Sequence, residues 1–383
     1  MLLCEGSWLS QWFPFSVAVR MVLAMATSFF CTLFLGRRLI QWLRQMRAVQ
    51  PIRSFSGFTL AELHKSKSET PTMGGVLILA SVVFSVLLWA NIKNFFLLLV
   101  MSSFVSFGVM GMIDDWAKLK KKSWRGVPGI VRFAFQTVWG VMLVVLLSSP
   151  AWISWCEGPI PSIMRGEQSL SWEQWQASIF VPFFREPLFI VHGIVGWSCV
   201  YSIQWFALVG TANAINLTDG LDGLASGMSF LVTVVLGAVA YIIAHPLLEL
   251  MPHFVAIPSM GEVSVCLAAL AGALIGFLWF NVYPAQVFMG DTGSLAIGGM
   301  IGSSAVVLKQ EWLLALVGIV FVFETLSVIV QVISFRYFGT RLFRCTPLHH
   351  HFEYKGMPET RIVMRFWIVG IIFAVLGGIS LVW

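Results

Sequence analysis

A chain of 383 residues that is 58% hydrophobic, with 11% charged residues, is not a water-soluble globule, whose charged share runs near ~25%. The net charge of +6 calls for no nucleic-acid partner, because the positive residues collect in a few short segments between apolar runs. The composition is that of an integral membrane protein.

Apolar runs near the ~20 residues needed to cross the hydrocarbon core recur about ten times. They fall at 16–36, 73–91, 94–113, 130–148, 188–210, 224–244, 260–280, 294–308, 312–335 and 363–383. The first fourteen residues carry no Lys or Arg, so the first run reads as a retained span rather than a cleaved signal. Of the 24 Lys and Arg, 19 lie in Gly36–Thr72, Asp114–Arg132 and Arg336–Arg365, which alternation of the spans puts on one side. The positive-inside rule makes that side cytoplasmic and sends both termini to the other. The fold expected is all-α, one polytopic membrane domain over 1–383 with about ten transmembrane helices and an outer-side insertion near 149–187. Six scattered cysteines form no CxxC pair and suggest neither a metal cluster nor a disulfide framework, although Cys4 and Cys156 share the outer side.

In chain order, the first inner segment is arginine-rich, with Trp42 and Phe55 interleaved, and reads as lying along the membrane surface. It ends in Lys67-Ser-Glu-Thr-Pro-Thr-Met-Gly-Gly75, where Lys67 and Thr72 either address a phosphate or, for the lysine, serve only to orient the chain. The third span ends at Asp114-Asp115. Adjacent carboxylates repel, which suits a metal ion or a proton acceptor. Lys118 to Lys122 and Arg125 follow as an anionic-lipid contact. The outer segment carries Trp152, Trp155, Trp172 and Trp175, residues usual at the membrane interface, and shows no chemistry.

The polar stretch Asn216-Leu-Thr-Asp-Gly-Leu-Asp-Gly-Leu-Ala-Ser-Gly227 then interrupts two long apolar runs. It is either a solvated turn or a site, and carboxylates held at a bilayer boundary favour the site. In Asn281-Val-Tyr-Pro-Ala-Gln-Val-Phe-Met-Gly-Asp-Thr-Gly-Ser294, Asp291 sits between two glycines, an exposed and flexible setting from which a carboxylate reaches a metal. Phe288 is a lipid-facing aromatic or a stacking platform for a base. In Pro347-Leu-His-His-His-Phe-Glu353, consecutive histidines diverge by about 100° on a helix. His349, His350 and His351 therefore suit phosphate or sugar recognition, or proton transfer, better than one zinc ion. All five aspartates of the chain, Asp114, Asp115, Asp219, Asp222 and Asp291, fall on the inner side, and they are expected to converge. Carboxylates with lysines, histidines and glycine-rich turns make a site for Mg²⁺ and a polyphosphate, hence phosphoryl transfer at the cytoplasmic membrane surface.

These motifs, PTMGG at 71–75, Asp114-Asp115, NLTDGLDGLASG, NVYPAQVFMGDTGS and PLHHHFE, taken together and in this order, resemble the phospho-N-acetylmuramoyl-pentapeptide transferases of the polyprenyl-phosphate N-acetylhexosamine-1-phosphate transferase superfamily. The resemblance implies a bacterial cytoplasmic-membrane enzyme, a homodimer, acting on UDP-N-acetylmuramoyl-pentapeptide and undecaprenyl phosphate with Mg²⁺. It implies Asp291 and Asp115 at the metal, and Asp114, Asp115, Asp291 and His349 in catalysis. Lys67, Thr72, Asn216, Asp219, Gly220, Leu221, Asp222, Asn281 and Phe288 would line the uridine-diphosphate region, with Lys118, His350 and His351 toward phosphates or sugar. A sister enzyme transferring N-acetylglucosamine-1-phosphate is one rival. A secondary transporter is another, disfavoured because only Arg20 and Glu324 sit clearly within apolar runs.

Overall fold

Inside hydrocarbon the backbone must satisfy its own N–H and C=O groups, so apolar runs of this length fold as helices. The computed structural model describes residues 16–46, 48, 70–121, 126–149, 151, 163–165, 168–184, 186–245 and 257–381. Every one of the ten runs is helical in it. The helices are α1 (Val17–Gln45), α2 (Gly75–Trp89), α3 (Phe95–Lys121), α4 (Gly129–Ser148), α5 (Trp172–Ala177), α6 (Gly193–Thr218), α7 (Leu224–Ala244), α8 (Gly261–Asn281), α9 (Gly290–Val307), α10 (Glu311–Val317), α11 (Ile319–Phe338), α12 (Leu348–Tyr354) and α13 (Glu359–Ser380). Eight of them, α1, α3, α4, α6, α7, α8, α11 and α13, are long and apolar enough to cross a membrane. The shorter α2 and the glycine-rich α9 complete the set.

Several ends differ from the hydropathy boundaries. At 29 residues α1 runs on to Gln45, so Arg37, Arg38 and Arg44 continue a helix instead of opening a surface segment. Most of the rest of that inner segment, Phe55 and Lys67 included, lies outside the described residues, which resume at Thr70. Likewise α3 runs past Asp114-Asp115 to Lys121, and α6 runs to Thr218. Hydropathy falls where charge begins, but a helix ends only where backbone or capping chemistry ends it. The ninth run is broken at Gly318, where a β-carbon would press on the Leu314 carbonyl at 2.7 Å, so it forms α10 and α11 rather than one span.

Helices α8 and α9 form the centre. α8 packs on α1 and α7, and α9 on α3 and α6. α9 is small-residue rich, and its Gly298 and Gly302 lie against the backbones of Ala212 and Leu208, the close approach by which helices associate where lipid supplies no hydrophobic drive. Peripheral helices turn large apolar side chains outward, among them Phe34, Ile130, Val138, Phe206, Phe335 and Ile372. Such a belt is untenable in water and natural in lipid.

The outer-side segment departs most from expectation. Two small antiparallel pairs, β1 (Ile163–Arg165) with β2 (Gln168–Leu170) and β3 (Ser178–Ile179) with β4 (Phe189–Ile190), flank α5, which Ser171 and Gln174 start with a reciprocal capping box. Trp172 and Trp175 are buried here, 4.8 Å apart between ring centroids, with Trp172 Nε1 donating to Leu147 O at 3.1 Å. They close one end of the core, where the Trp172 indole donor finds a carbonyl. Trp152 and Trp155, like Cys4 and Cys156, lie outside the described residues.

One ion pair ties three helices together at the end where α1 begins. Arg20 meets both oxygens of Glu262 at 2.9 and 2.7 Å and donates to Trp89 O at 3.0 Å, while Asn91 N donates to Glu262 Oε2 at 2.7 Å. Both side chains are almost wholly buried. Arg20→Met strands the Glu262 carboxylate, a loss of about 3–5 kcal/mol for a broken buried pair. Thermal unfolding in detergent is expected to show a clear drop for Arg20→Met and a much smaller one for Arg20→Met with Glu262→Leu; equal drops would show that the pair is not what binds these helices.

Candidate active site

Four helix ends meet at the opposite end of the bundle, and each brings a polar side chain. Because α3 continues past its apolar part, Asp114, Asp115 and Lys118 share one helix at spacings that let the lysine fold back. Lys118 Nζ lies 2.7 Å from Asp114 Oδ2 and 3.9 Å from Asp115 Oδ1. From α9, Asp291 Oδ2 accepts from Lys118 Nζ at 2.8 Å and from Arg132 Nη1, in the first turn of α4, at 2.7 Å. Arg132 also stands 3.6 Å from Asp114. From the last turn of α6, Asn216 Nδ2 donates to Asp291 Oδ1 and to Ser294 Oγ, each at 2.9 Å.

The three carboxylates are held differently. Asp114 Oδ1 accepts from Val127 N at 2.7 Å as the chain returns from α3 toward α4. Asp115 accepts from Asp291 N at 3.2 Å, Thr292 N at 2.9 Å and Thr292 Oγ1 at 2.7 Å. It thus caps the first turn of α9 from a neighbouring helix, where free N–H groups and the helix dipole favour an anion. Gly290 makes this entry possible. Its φ of +73° is left-handed, and a β-carbon there would meet Asp115 Oδ2 at 2.7 Å and Thr72 Oγ1 at 2.9 Å. Asp291 is therefore not on a flexible loop as the flanking glycines suggest; it is in the first turn of a helix, with its side chain 14% exposed.

Backbone bonds carry the PTMGG motif to the same place. Phe288 N donates to Pro71 O, Gly74 N to Phe288 O and Gly75 N to Met289 O, all at 2.8 Å. Thr72 is buried here, and its hydroxyl has no hydrogen-bond partner among the described residues. Phe288 is half-buried.

Not all five aspartates converge. Oxygens of Asp114, Asp115 and Asp291 lie within 4.8 Å of one another, and Asp219 and Asp222 are not in that group. Half-buried Asp219 follows the end of α6; burial, then the charges of Asp291, Asp115 and Asp222, push its pKa up to about 8. Asp222 Oδ2 instead accepts from Ala285 N at 3.0 Å, and its own N–H donates to Glu359 at 2.7 Å. Asn281 braces the same region: Gly223 N (3.2 Å) and Ser226 Oγ (2.8 Å) donate to its Oδ1, and its Nδ2 donates to Val287 O at 3.0 Å. Leu221 is buried, and Gly220 lies against His349. As expected of neighbours on a helix, the three histidines diverge. His349 pairs with Glu324, His350 with Glu353 at 2.6 Å, and His351 Nδ1 accepts from Arg344 N at 3.1 Å. Arg132, Thr292 and Ser294 were not singled out from sequence. Arg132 had counted only toward topology, although its position one turn into a helix after an acidic span end was a usable signal.

Among the described residues three carboxylates face two cations, which leaves one negative charge uncompensated and carboxylate oxygens to offer, a fit for a hard divalent ion. Lys118→Met removes one of the two cations. Its thermal midpoint in detergent is expected to fall and to recover in part with millimolar Mg²⁺, and Asp291→Asn is expected to erase that recovery. No response to any divalent cation would show that the cluster is purely structural.

Comparison with known proteins gives matches over the whole bundle. The glycosyl transferase family 4 model matches residues 96–309, and phospho-N-acetylmuramoyl-pentapeptide-transferase signature 1 matches residues 67–79. A phospho-N-acetylmuramoyl-pentapeptide-transferase of Protochlamydia amoebophila is 40% identical over 385 residues, covering 95% of this chain and 93% of that protein. One from Thermodesulfovibrio yellowstonii is 41% identical over 366 residues, with the same two coverages, 95% and 93%.

Proposed function

The chain belongs to the phospho-N-acetylmuramoyl-pentapeptide-transferase family, and from that membership and the carboxylate cluster we propose that it performs the first membrane step of peptidoglycan synthesis. In that reaction UDP-N-acetylmuramoyl-pentapeptide and undecaprenyl phosphate give UMP and undecaprenyl-diphospho-N-acetylmuramoyl-pentapeptide. A phosphate oxygen of the lipid forms the new P–O bond at the sugar-linked phosphorus, and the bond to UMP breaks.

The observation that carries the reading is the group of Asp114, Asp115 and Asp291 with Lys118 and Arg132 between them, at helix ends. Asp291 and Asp115, with Asp114 beside them, would hold Mg²⁺. When bound, the ion neutralises charge on the diphosphate and the leaving UMP. Lys118 and Arg132 would exchange carboxylate partners for phosphate oxygens, so that substrate charge meets groups already oriented. Asp114, held by Val127 N, would take any proton the lipid phosphate carries. Direct attack needs no covalent enzyme intermediate, because the lipid phosphate is already an anionic nucleophile and the site supplies alignment. Lys67 and Thr72 would address the diphosphate, and Asn216, Asp219, Gly220, Leu221, Asp222, Asn281 and Phe288 the uridine side. Asp222 and Asn281 would act there by holding the loop backbone.

UMP release from UDP-N-acetylmuramoyl-pentapeptide with polyprenyl phosphate and Mg²⁺ tests the reading. Asp291→Asn is expected to lose about 100-fold or more in turnover, and enzyme given nucleotide substrate without lipid is expected to release no stoichiometric UMP. Unchanged turnover in Asp291→Asn would remove the metal assignment, and a burst of UMP without lipid would replace direct attack with a phosphorylated carboxylate. Faster turnover with UDP-N-acetylglucosamine would move the chain to the sister activity.

A further inference from the structure

A second pair of buried titratable groups lies apart from the carboxylate cluster. Glu324 on α11 and His349 on α12 are both fully buried. Glu324 Oε2 is 3.1 Å from His349 Nδ1, and the same carboxylate accepts the His349 backbone N–H, 3.2 Å from Oε1 and 3.4 Å from Oε2. A carboxylate that also accepts the backbone N–H offers Nδ1 an acceptor, so a neutral ring in this contact would carry its proton on Nδ1 and its free lone pair on Nε2. Nε2 is buried and has no hydrogen-bond partner among the described residues. It lies against Gly220, in the turn that joins α6 to α7, where a β-carbon would collide with it. A buried polar atom left unpaired is costly and calls for an explanation, and a partner arriving with the ligand is one. His350 and His351 hydrogen-bond elsewhere, so among the described residues Glu324 is the acid that orients the His349 ring.

We propose that Glu324 is a positioning residue for the transfer reaction: it fixes the ring orientation and tautomer of His349, so that Nε2 faces the Asp219–Gly220 turn as a hydrogen-bond acceptor for a hydroxyl or amide N–H of the bound nucleotide-linked sugar. The inference rests on the transferase reading above. It gives the intramembrane acid at 324 a task that packing alone does not require, because a buried carboxylate is expensive unless its bonds are used.

Glu324→Gln separates this from a packing role. The amide has nearly the volume of the acid, and the His349 backbone N–H takes its only oxygen. Its NH₂ is then left facing Nδ1, which must accept, and the ring proton moves to Nε2. The acceptor that substrate needs becomes a donor. The expected result is a loss of about 10–100-fold in kcat/KM with an unchanged thermal midpoint, and no further loss when Glu324→Gln is added to His349→Ala. Nitrogen NMR of ¹⁵N-histidine-labelled protein, with the signal identified by its absence in His349→Ala, is expected to show Nδ1 protonated in the wild type and Nε2 protonated in Glu324→Gln. Full activity in Glu324→Gln, a loss that adds to that of His349→Ala, or an unchanged tautomer would each overturn the proposal. Should Glu324→Gln not fold, Glu324→Asp withdraws the same acceptor, and its loss must likewise vanish in the His349→Ala background. The NMR measurement needs no substrate, so it stands or falls independently of whether wild-type enzyme releases UMP.

Discussion

Three carboxylates within 4.8 Å of one another are the constraint around which one end of the bundle is arranged. Like charges at that spacing, away from bulk water, persist only with cations among them. Lys118 reaches back because α3 does not stop where its apolar residues stop. Arg132 reaches across because α4 opens three residues before it. Asp291 is presented by the first turn of α9 because Gly290 adopts a conformation other residues avoid. Helix ends that look like loose boundaries in a hydropathy profile are therefore fixed by charge compensation.

The other end of the bundle shows what a structural ion pair looks like in the same chain. Arg20 and Glu262 meet in two-pronged contact, with a carbonyl and a backbone N–H beside them and both side chains almost wholly buried. At the carboxylate end three negative groups face two positive ones among the described residues, and the arginine keeps more than a quarter of its side chain exposed. Imbalance with access separates a site prepared for an incoming cation and phosphates from a clasp, and neither burial nor charge alone would do so.

Much of this was legible in the sequence, and the rest was not for identifiable reasons. Asp114, Asp115, Asp291 and Asn216 stood out because polar groups at membrane depth are expensive and few. Arg132 did not, since an arginine near a span end already has a sufficient explanation in topology. Asp222 and Asn281 carry the residue types for ligand contact, and among the described residues they also bond Ala285 N, Gly223 N, Ser226 and Val287 O. Composition cannot tell an amide that meets a ligand from one that holds a loop, because the same donors serve both. The aspartates were rightly sorted to one side, but only tertiary packing decides that three of them share a centre while Asp222 faces the 281–288 loop.

Asp115 shows how tightly shaping and chemistry are joined here. Its two oxygens already take three donors from the start of α9, namely Asp291 N, Thr292 N and Thr292 Oγ1. A metal ion would have to share those oxygens with the helix terminus, whereas those of Asp291 meet, among the described residues, side chains alone, from Lys118, Arg132, Asn216 and the neighbouring Asp114. Replacing a side-chain cation by a divalent one leaves the fold's hydrogen bonds in place, but replacing backbone donors would unseat the first turn that carries Asp291. Of the two acids assigned to the ion, Asp291 is thus the one free to give up its present partners, and Asp115 contributes chiefly by holding Asp291 where its charge is needed.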